Sequence, residues 1–165
     1  MCRPHGNAWN ARSMSSASPR HWVSVAAVVV DDTDRVLVIR RRDNGQWEPP
    51  GGVLELDEPI LQGLRREVLE ETGLAIEPIR LSGVYKNMAR GIVALVFRAR
   101  VVDGRATISD ETDRIEWWPP DAVRERMDPA YAVRMLDALH DGEGPAVRAH
   151  NGVDVLTDAD IPGMR

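Results

Sequence analysis

The sequence predicts one α/β domain built around a mixed β-sheet. The chain has 165 residues, which is the size of one domain and enough to bury a sizeable core. Apolar, β-branched runs typical of strands alternate along the chain with segments whose apolar residues recur at helical spacing. Such alternation favours an α/β architecture, and we place the domain at residues 21–140.

The first two strands are predicted on either side of an acidic turn. Trp22 to Val30 is apolar and β-branched, which is typical of a buried strand. The acidic run 31–34 is a turn signal, and Arg35 to Arg42 forms the second strand. We expect these two strands to be hairpin partners. A further turn follows at 43–45.

A loop at 51–58 leads into the best-defined helix, predicted at about 59–72. This segment is rich in good helix formers, Pro59 suits a first turn, and Gly73 is a natural stop. The spacing predicts one buried apolar stripe. Its members are Ile60, Leu61, Leu64 and Val68.

Further strands are predicted in the second half of the chain. The segment 75–85 is mostly extended, and Pro78 indicates an edge position or a bulge. A long strand at 91–102 ends in an Asp-Gly turn signal, which predicts a hairpin into residues 105–109. Residues 114–118 form a short strand.

Two helices close the domain, from Pro119 to about Met127 and at about 129–140. We expect 141–165 to be a weakly ordered tail because it carries Gly and Pro. Residues 1–20 contain no acidic residue and are interpreted as a flexible leader. An organellar transit peptide has the same composition and is the alternative interpretation.

Composition narrows the function. A net charge of −5 argues against a general nucleic-acid binder, which would present a basic face. The single cysteine indicates a reducing compartment, so we expect a cytoplasmic protein. No apolar run reaches the length of a membrane span, and we expect no membrane partner. A homodimer is compatible with the sequence.

Three glutamates project together from one edge of the predicted helix: Glu67, Glu70 and Glu71. A solvated acidic face is the ordinary interpretation, since like charges there cost only a few tenths of a kcal/mol. Two features favour a metal site instead. The carboxylates adjoin the apolar stripe. A turn at 47–52 with exposed backbone carbonyls comes before the loop and helix that carry them. Hard oxygen ligands of this kind suit Mg²⁺ or Mn²⁺.

The stretch from Gly52 to Leu74 resembles the complete signature of the Nudix hydrolases. All nine of its fixed positions are filled, which makes the match specific: Gly52, Glu58, Arg66, Glu67, Val68, Glu70, Glu71, Gly73 and Leu74. With its flanking strands the resemblance covers roughly 22–140. It implies an α/β/α sandwich and cleavage of a nucleoside diphosphate linked to another group.

The resemblance also implies roles for individual residues. The ligands of Mg²⁺, with Mn²⁺ as the alternative, would be the Gly51 carbonyl, Glu67, Glu70 and Glu71. The Arg66 guanidinium would orient Glu67 or Glu58, and an ordinary surface ion pair is the alternative role for Arg66.

The general base lies outside the signature in many members of this family. Our candidate is Glu111, in the acidic loop 110–113. Glu71 is the alternative, as base and ligand together. A solvated Glu111 without a catalytic role is the other interpretation.

Substrate contacts require local positive charge, because the mean field of an acidic protein repels a polyphosphate. The candidates are Arg40 and Arg42 at the end of the second strand, Arg90 in the polar loop 86–90, and Trp47 as a surface for base stacking. The alternatives are a solvated strand end for the arginines and simple packing under the loop for Trp47.

The expected substrate is a small nucleotide. The family's ADP-ribose hydrolases carry a proline about sixteen residues past the signature, where this chain has Met88-Ala89-Arg90. We therefore favour a nucleoside triphosphate, (d)NTP, or a modified nucleotide, with ADP-ribose or a sugar nucleotide as the alternative. A nucleotide-sensing binding module is the competing class. Such modules usually lose signature glutamates, and none is lost here.

Overall fold

The computed structural model describes residues 20–142 and 144–160. The predicted leader, apart from Arg20, lies outside the described residues. Nine strands are present in the described part: β1 (Trp22–Val29), β2 (Val36–Arg41), β3 (Trp47–Glu48), β4 (Gly51–Val53), β5 (Leu74–Asn87), β6 (Ile92–Gly104), β7 (Thr112–Trp118), β8 (Ala146–His150) and β9 (Val155–Leu156). The helices described there are α1 (Ile60–Thr72), α2 (Pro120–Arg126) and α3 (Pro129–Leu139).

The strands form two sheets. The six-stranded sheet has the order β4-β1-β6-β5-β8-β9, and the three-stranded sheet has the order β3-β2-β7. The larger sheet is mixed, because β1 runs parallel to β6 and β5 runs parallel to β8 while its other pairs are antiparallel. The predicted mixed sheet is confirmed.

Strand β1 is covered on both faces. Its residues alternate between two apolar cores, one under α1 and the other under α2 and α3. Val25, Ala27 and Val29 face the first core, and Ala26 and Val28 face the second. A sheet between two helical layers is an α/β/α sandwich, so the predicted fold class is confirmed.

Helix α1 lies where the sequence predicts it. Leu64 and Val68 are fully buried against the sheet. Ile60 and Leu61 are each 41% exposed, so the predicted stripe is buried only beyond its first turn. Gly73 ends the helix in the left-handed conformation, with φ 71°, which a glycine adopts without strain.

The predicted hairpin between the first two strands is wrong. The two strands meet only at an isolated bridge between Val30 and Val36, and β2 pairs instead with β3 and β7. The reason is that β4 and β6 already occupy the two edges of β1. No edge of β1 is left for β2.

Two turn predictions also differ from the structure. Residues 51–53, expected in a loop, form β4. The hairpin into 105–109 is wrong, because β6 continues through Gly104 and pairs there with Leu74 of β5. At Pro78 both alternatives are confirmed: the register with β6 shifts between Pro78 and Arg80, and β8 pairs only with residues 83–87 of β5, so Pro78 lies on an edge of the sheet.

The prediction of a weakly ordered tail is wrong for residues 146–156. Strand β8 pairs in parallel with β5, and β9 pairs with β8. Without β8, the hydrogen-bonding edge of β5 that faces away from β6 would be unpaired. Arg148 adds an ion pair of 2.7 Å to Asp137 of α3. None of the helices in the described part of the chain is long and apolar enough to cross a membrane.

Candidate active site

Helix α1 places the three glutamates in three different environments. The side chain of Glu70 is 60% exposed and that of Glu67 is 15% exposed, whereas Glu71 is buried. Burial therefore increases across the row, from a solvated carboxylate to one enclosed by the core. The ordinary interpretation of a fully solvated acidic face does not hold for Glu67 or Glu71.

Glu71 contacts strand β4, which precedes the helix. The backbone N–H of Gly51 donates a hydrogen bond of 2.7 Å to Glu71 Oε2. Burial nevertheless raises the pKa of Glu71 to about 8. The neighbouring carboxylates Glu48, Glu67 and Glu111 raise this pKa further, while the Gly51 N–H opposes the shift.

The Gly51-Gly52 dipeptide allows this close approach. A Cβ at Gly51 would collide with the carbonyl oxygen of Val25 in β1. A Cβ at Gly52 would collide with the carboxylate of Glu67. A side chain at Gly51 would therefore require β1 to move, and a side chain at Gly52 would displace the carboxylate of Glu67.

Arg66 binds three carboxylates at once. Its guanidinium donates hydrogen bonds of 2.6 and 3.0 Å to Glu58, 3.0 Å to Glu67 and 3.1 Å to Glu70. The hydrogen bonds from Arg66 lower the pKa of Glu58 to about 2. Contacts to Glu58 and Glu67 match the orienting geometry that the resemblance implied.

No cluster of three or more His, Cys, Asp or Glu side chains within residues 20–142 and 144–160 is close enough to hold a metal ion. The contacts explain this, because Arg66 draws Glu67 and Glu70 toward itself and Glu71 accepts from Gly51. The donors still fit a hard divalent cation. Burial raises the pKa of Glu67 and of Glu71, and a bound cation would offset the cost of ionising both.

Glu111 lies near this row. Its negative charge raises the pKa of both Glu67 and Glu71. Its loop is held by Arg42, whose backbone N–H donates 2.8 Å to the Glu111 carbonyl and whose side chain donates to the Ser109 and Asp110 carbonyls. The Glu111 side chain is exposed, so water reaches it.

A cavity of about 620 Å³ adjoins the Gly51-Gly52 dipeptide of β4. It extends from there to helix α3 and to the 151–153 turn that links β8 to β9. Its lining includes Glu48, Gly51, Arg90, Tyr131, Arg134 and Gly152. The glutamate row is connected to this cavity through Gly51, which lines the cavity and donates to Glu71. Of the four predicted substrate residues, Arg90 lines the cavity.

The other three predicted substrate residues have structural contacts. Arg40 forms an ion pair with Asp113 at 2.6 Å. Trp47 is half-buried, and its ring lies 4.7 Å from that of Trp118 between centroids, which favours the packing alternative. Arg42 lines a smaller cavity of about 300 Å³ that it shares with Glu111.

Three cavity residues escaped the sequence analysis: Glu48, Tyr131 and Arg134. Burial raises the pKa of Glu48. Its Oε1 lies 3.3 Å from Arg41 Nη1. One signal was available for Arg134. It occupies the i+4 position in a buried row of α3 between Ala130 and Ala138, where a charged side chain is unusual.

Comparison with known proteins agrees with this architecture. A family model described as NUDIX domain matches residues 20–139. A MutT-like protein from Streptomyces ambofaciens is 56% identical over 142 residues, covering 86% of this chain and 92% of that protein. The mouse 8-oxo-dGDP phosphatase NUDT18 is 34% identical over 123 residues, covering 70% of this chain but 36% of its own length.

Solved structures show the same fold. A NUDIX hydrolase from Nitrosomonas europaea superposes with a TM-score of 0.68 at 21% identity, over 81% of each chain. The matched family model and the relatives define the class of protein as a hydrolase of pyrophosphate linkages. The chain belongs to the NUDIX family of hydrolases.

Proposed function

We propose that this protein hydrolyses a pyrophosphate bond in a (d)NTP or a modified nucleotide, and that it requires Mg²⁺. One observation carries the proposal. Gly51 lines the 620 Å³ cavity and also donates to Glu71, so the glutamate row lies at the end of a space suited to a small ligand. The phosphates would lie at this end and the nucleoside in the cavity.

The ligands of the metal would be Glu67, Glu70, Glu71 and the Gly51 carbonyl, with Mn²⁺ as the alternative ion. When bound, Mg²⁺ neutralises phosphate charge and lowers the pKa of water. The conversion from the described arrangement requires Glu67 and Glu70 to release the Arg66 Nη1 that they share. Arg66 would keep its two hydrogen bonds to Glu58 and so remain in place beside the site.

Glu111 is our candidate for the general base that takes a proton from the attacking water. Its exposed carboxylate sits on a loop fixed by Arg42, within electrostatic reach of Glu67 and Glu71. Glu71 is the alternative base. Its raised pKa would allow it to hold a proton near neutral pH, but its burial limits access to water.

For the substrate we favour small nucleotides. The name of the mouse relative, an 8-oxo-dGDP phosphatase, supports an oxidised nucleotide as one member of this class. ADP-ribose and sugar nucleotides remain the alternative substrates. Arg90, which lines the cavity and is exposed, is our candidate for a contact with phosphate or sugar oxygens.

The test is phosphate and pyrophosphate release from a panel of nucleotides with Mg²⁺, in parallel with excess EDTA. The panel contains the common triphosphates, 8-oxo-dGTP, ADP-ribose, a sugar nucleotide and a dinucleoside polyphosphate. We expect turnover of at least one triphosphate that EDTA abolishes. Tight binding without turnover of any member would instead support the sensing module, and full activity in EDTA would refute the metal requirement.

A further inference from the structure

Arg134 is a buried cation at the wall of the cavity. It is 8% exposed, it lies on α3, and it lines the 620 Å³ space. Within the described part of the chain, no group accepts a hydrogen bond from its Nε, and that atom is buried. A buried donor without an acceptor is costly, so it points to a group that completes the site.

The one polar side chain in hydrogen-bond contact with Arg134 among the described residues is His150. Arg134 Nη2 lies 3.0 Å from His150 Nε2, while His150 Nδ1 accepts a hydrogen bond of 3.1 Å from the Gly152 N–H. Burial lowers the pKa of His150 to about 4, so the ring is neutral at pH 7. A neutral imidazole has one acceptor nitrogen, so His150 cannot accept hydrogen bonds from both the Gly152 N–H and Arg134 Nη2.

Two aromatic rings lie next to the guanidinium of Arg134. Its Cζ lies 4.9 Å from the ring centroid of Tyr131 and 5.6 Å from that of Tyr85. Tyr85 is in turn held by a hydrogen bond of 2.8 Å to Asp137. The guanidinium is planar, so its unused N–H donors point within its own plane.

We propose that Arg134 is the specificity-determining residue of the cavity, and that its fork of N–H donors binds the O6 and N7 acceptors of a 6-oxopurine. This inference rests on the proposed function. Two parallel in-plane donors match two adjacent acceptors, which a 6-oxopurine presents on one edge. Adenine carries a donor amino group at C6 beside N7, so it does not match the fork. The phosphates of the same nucleotide are assigned to α1, which covers the other face of the sheet from α3.

The test combines a substitution at Arg134 with removal of the C6 carbonyl from the base, and it measures whether the two changes are coupled. Inosine triphosphate carries this carbonyl and purine riboside triphosphate lacks it. We expect the wild-type protein to prefer inosine triphosphate by about tenfold in kcat/KM, and Arg134→Met to abolish the preference. Arg124→Met is the matched control, because Arg124 is exposed on α2 and paired with Asp121; this variant should keep the preference.

Three outcomes would overturn the inference. The first is an absent wild-type preference between the two substrates. The second is a loss in Arg134→Met of equal size on both substrates, which would place the contact on the phosphates or show a purely structural role. If Arg134→Met fails to fold, Arg134→Lys retains the charge without the fork. Arg134→Lys should also lose the preference for inosine triphosphate. Retention of this preference in Arg134→Lys would be the third outcome that overturns the inference.

A binding measurement separates this inference from the proposed function. Inosine and purine riboside, as nucleosides without phosphates, are titrated into the protein by calorimetry in EDTA. Tighter binding of inosine that disappears in Arg134→Met supports the role of Arg134 even if no nucleotide is hydrolysed. Equal binding of both nucleosides by the wild-type protein would refute it even if nucleotides are hydrolysed.

Discussion

The carboxylate of Glu71 accepts a hydrogen bond of 2.7 Å from the backbone N–H of Gly51, which joins the buried end of the glutamate row to strand β4 beside the cavity. This contact is made by a side chain whose ionisation is opposed by burial. The same carboxylate is thus a structural tie in the metal-free protein and a proposed ligand of the metal. Burial favours the protonated form of Glu71, whereas metal binding requires the ionised form. The stability of the protein should therefore depend measurably on pH.

We expect the metal-free protein to lose stability between about pH 6.5 and 8.5. The pKa of Glu71 is raised to about 8 in the folded state, so its contribution to stability is complete below the unfolded pKa of 4.5 and is lost as the pH rises through 8. The pKa of His150 is lowered from 6.5 to about 4, so its contribution to stability increases with pH and is complete above about pH 6.5. His150 therefore does not offset the loss expected above that pH. The measurement is the thermal midpoint in EDTA across this window.

Glu71→Gln is the control for this pH dependence. Its amide oxygen still accepts from Gly51, but the side chain does not titrate, so the midpoint should vary less between pH 6.5 and 8.5. Added Mg²⁺ should stabilise the wild-type protein more at pH 8.5 than at pH 6.5, because metal and proton compete for the carboxylate. A wild-type midpoint that rises across the window would contradict the assigned pKa.

Glu70→Gln separates activity from stability. The side chain of Glu70 is 60% exposed, and its partner Arg66 retains Glu58 and Glu67, so we expect a thermal midpoint within about 2 °C of wild type. The loss of a metal ligand should lower kcat by about 100-fold or more. Glu77→Gln is the matched control, because Glu77 is an exposed residue of β5 paired with Arg65, and this variant should leave turnover unchanged. Full activity of Glu70→Gln would remove Glu70 from the metal site.

The parts of the structure that sequence analysis predicts correctly depend on local patterns. Helix α1 is set by residues within one segment, from Pro59 to the left-handed Gly73. Strand pairing is not local: β1 satisfies its edges with β4 and β6, and nothing within residues 22–42 reveals this. Strand β8 has a weak apolar pattern, since its stability comes from main-chain bonds to β5 and from Arg148.

The candidate site divides in the same way. The signature glutamates are predictable because their spacing is fixed by one helix. The roles of Arg40 and Trp47 depend on distant partners, Asp113 and Trp118, that follow them by about seventy residues. The position of Arg134 in an apolar row of α3 is visible in the sequence, but its missing hydrogen-bond acceptor is known only from the structure.

The corrected fold changes the expected effect of truncation. Deleting residues 142–165 removes β8, the Arg148 ion pair to Asp137, and the hydrogen bond of 2.9 Å from the Ala130 N–H to the Val153 carbonyl. We expect the thermal midpoint to fall by about 5 °C or more. The KM for nucleotide should rise, because Gly152 and Val153 wall the cavity. Circular dichroism melting and steady-state kinetics measure the two effects.

A deletion of similar length at the other end is the comparison. We predict from its composition that removal of residues 1–19 leaves the midpoint unchanged. If the C-terminal deletion melts at the wild-type temperature, β8 contributes little to the domain. If the N-terminal deletion unfolds the protein, the predicted boundary of the domain at residue 21 is wrong.

The last prediction concerns the general base. Glu111 has an exposed carboxylate near Glu67 and Glu71, on a loop that Arg42 fixes through backbone contacts. A positioned base contributes typically 10²- to 10⁴-fold, so Glu111→Gln should lower kcat by at least about tenfold and change KM and metal affinity much less. Glu116→Gln is the control, since Glu116 accepts 2.7 Å from Trp118 Nε1 and a glutamine preserves that bond. A joint rise in KM and fall in kcat would indicate a misplaced loop, and near-normal turnover of Glu111→Gln would transfer the role to Glu71.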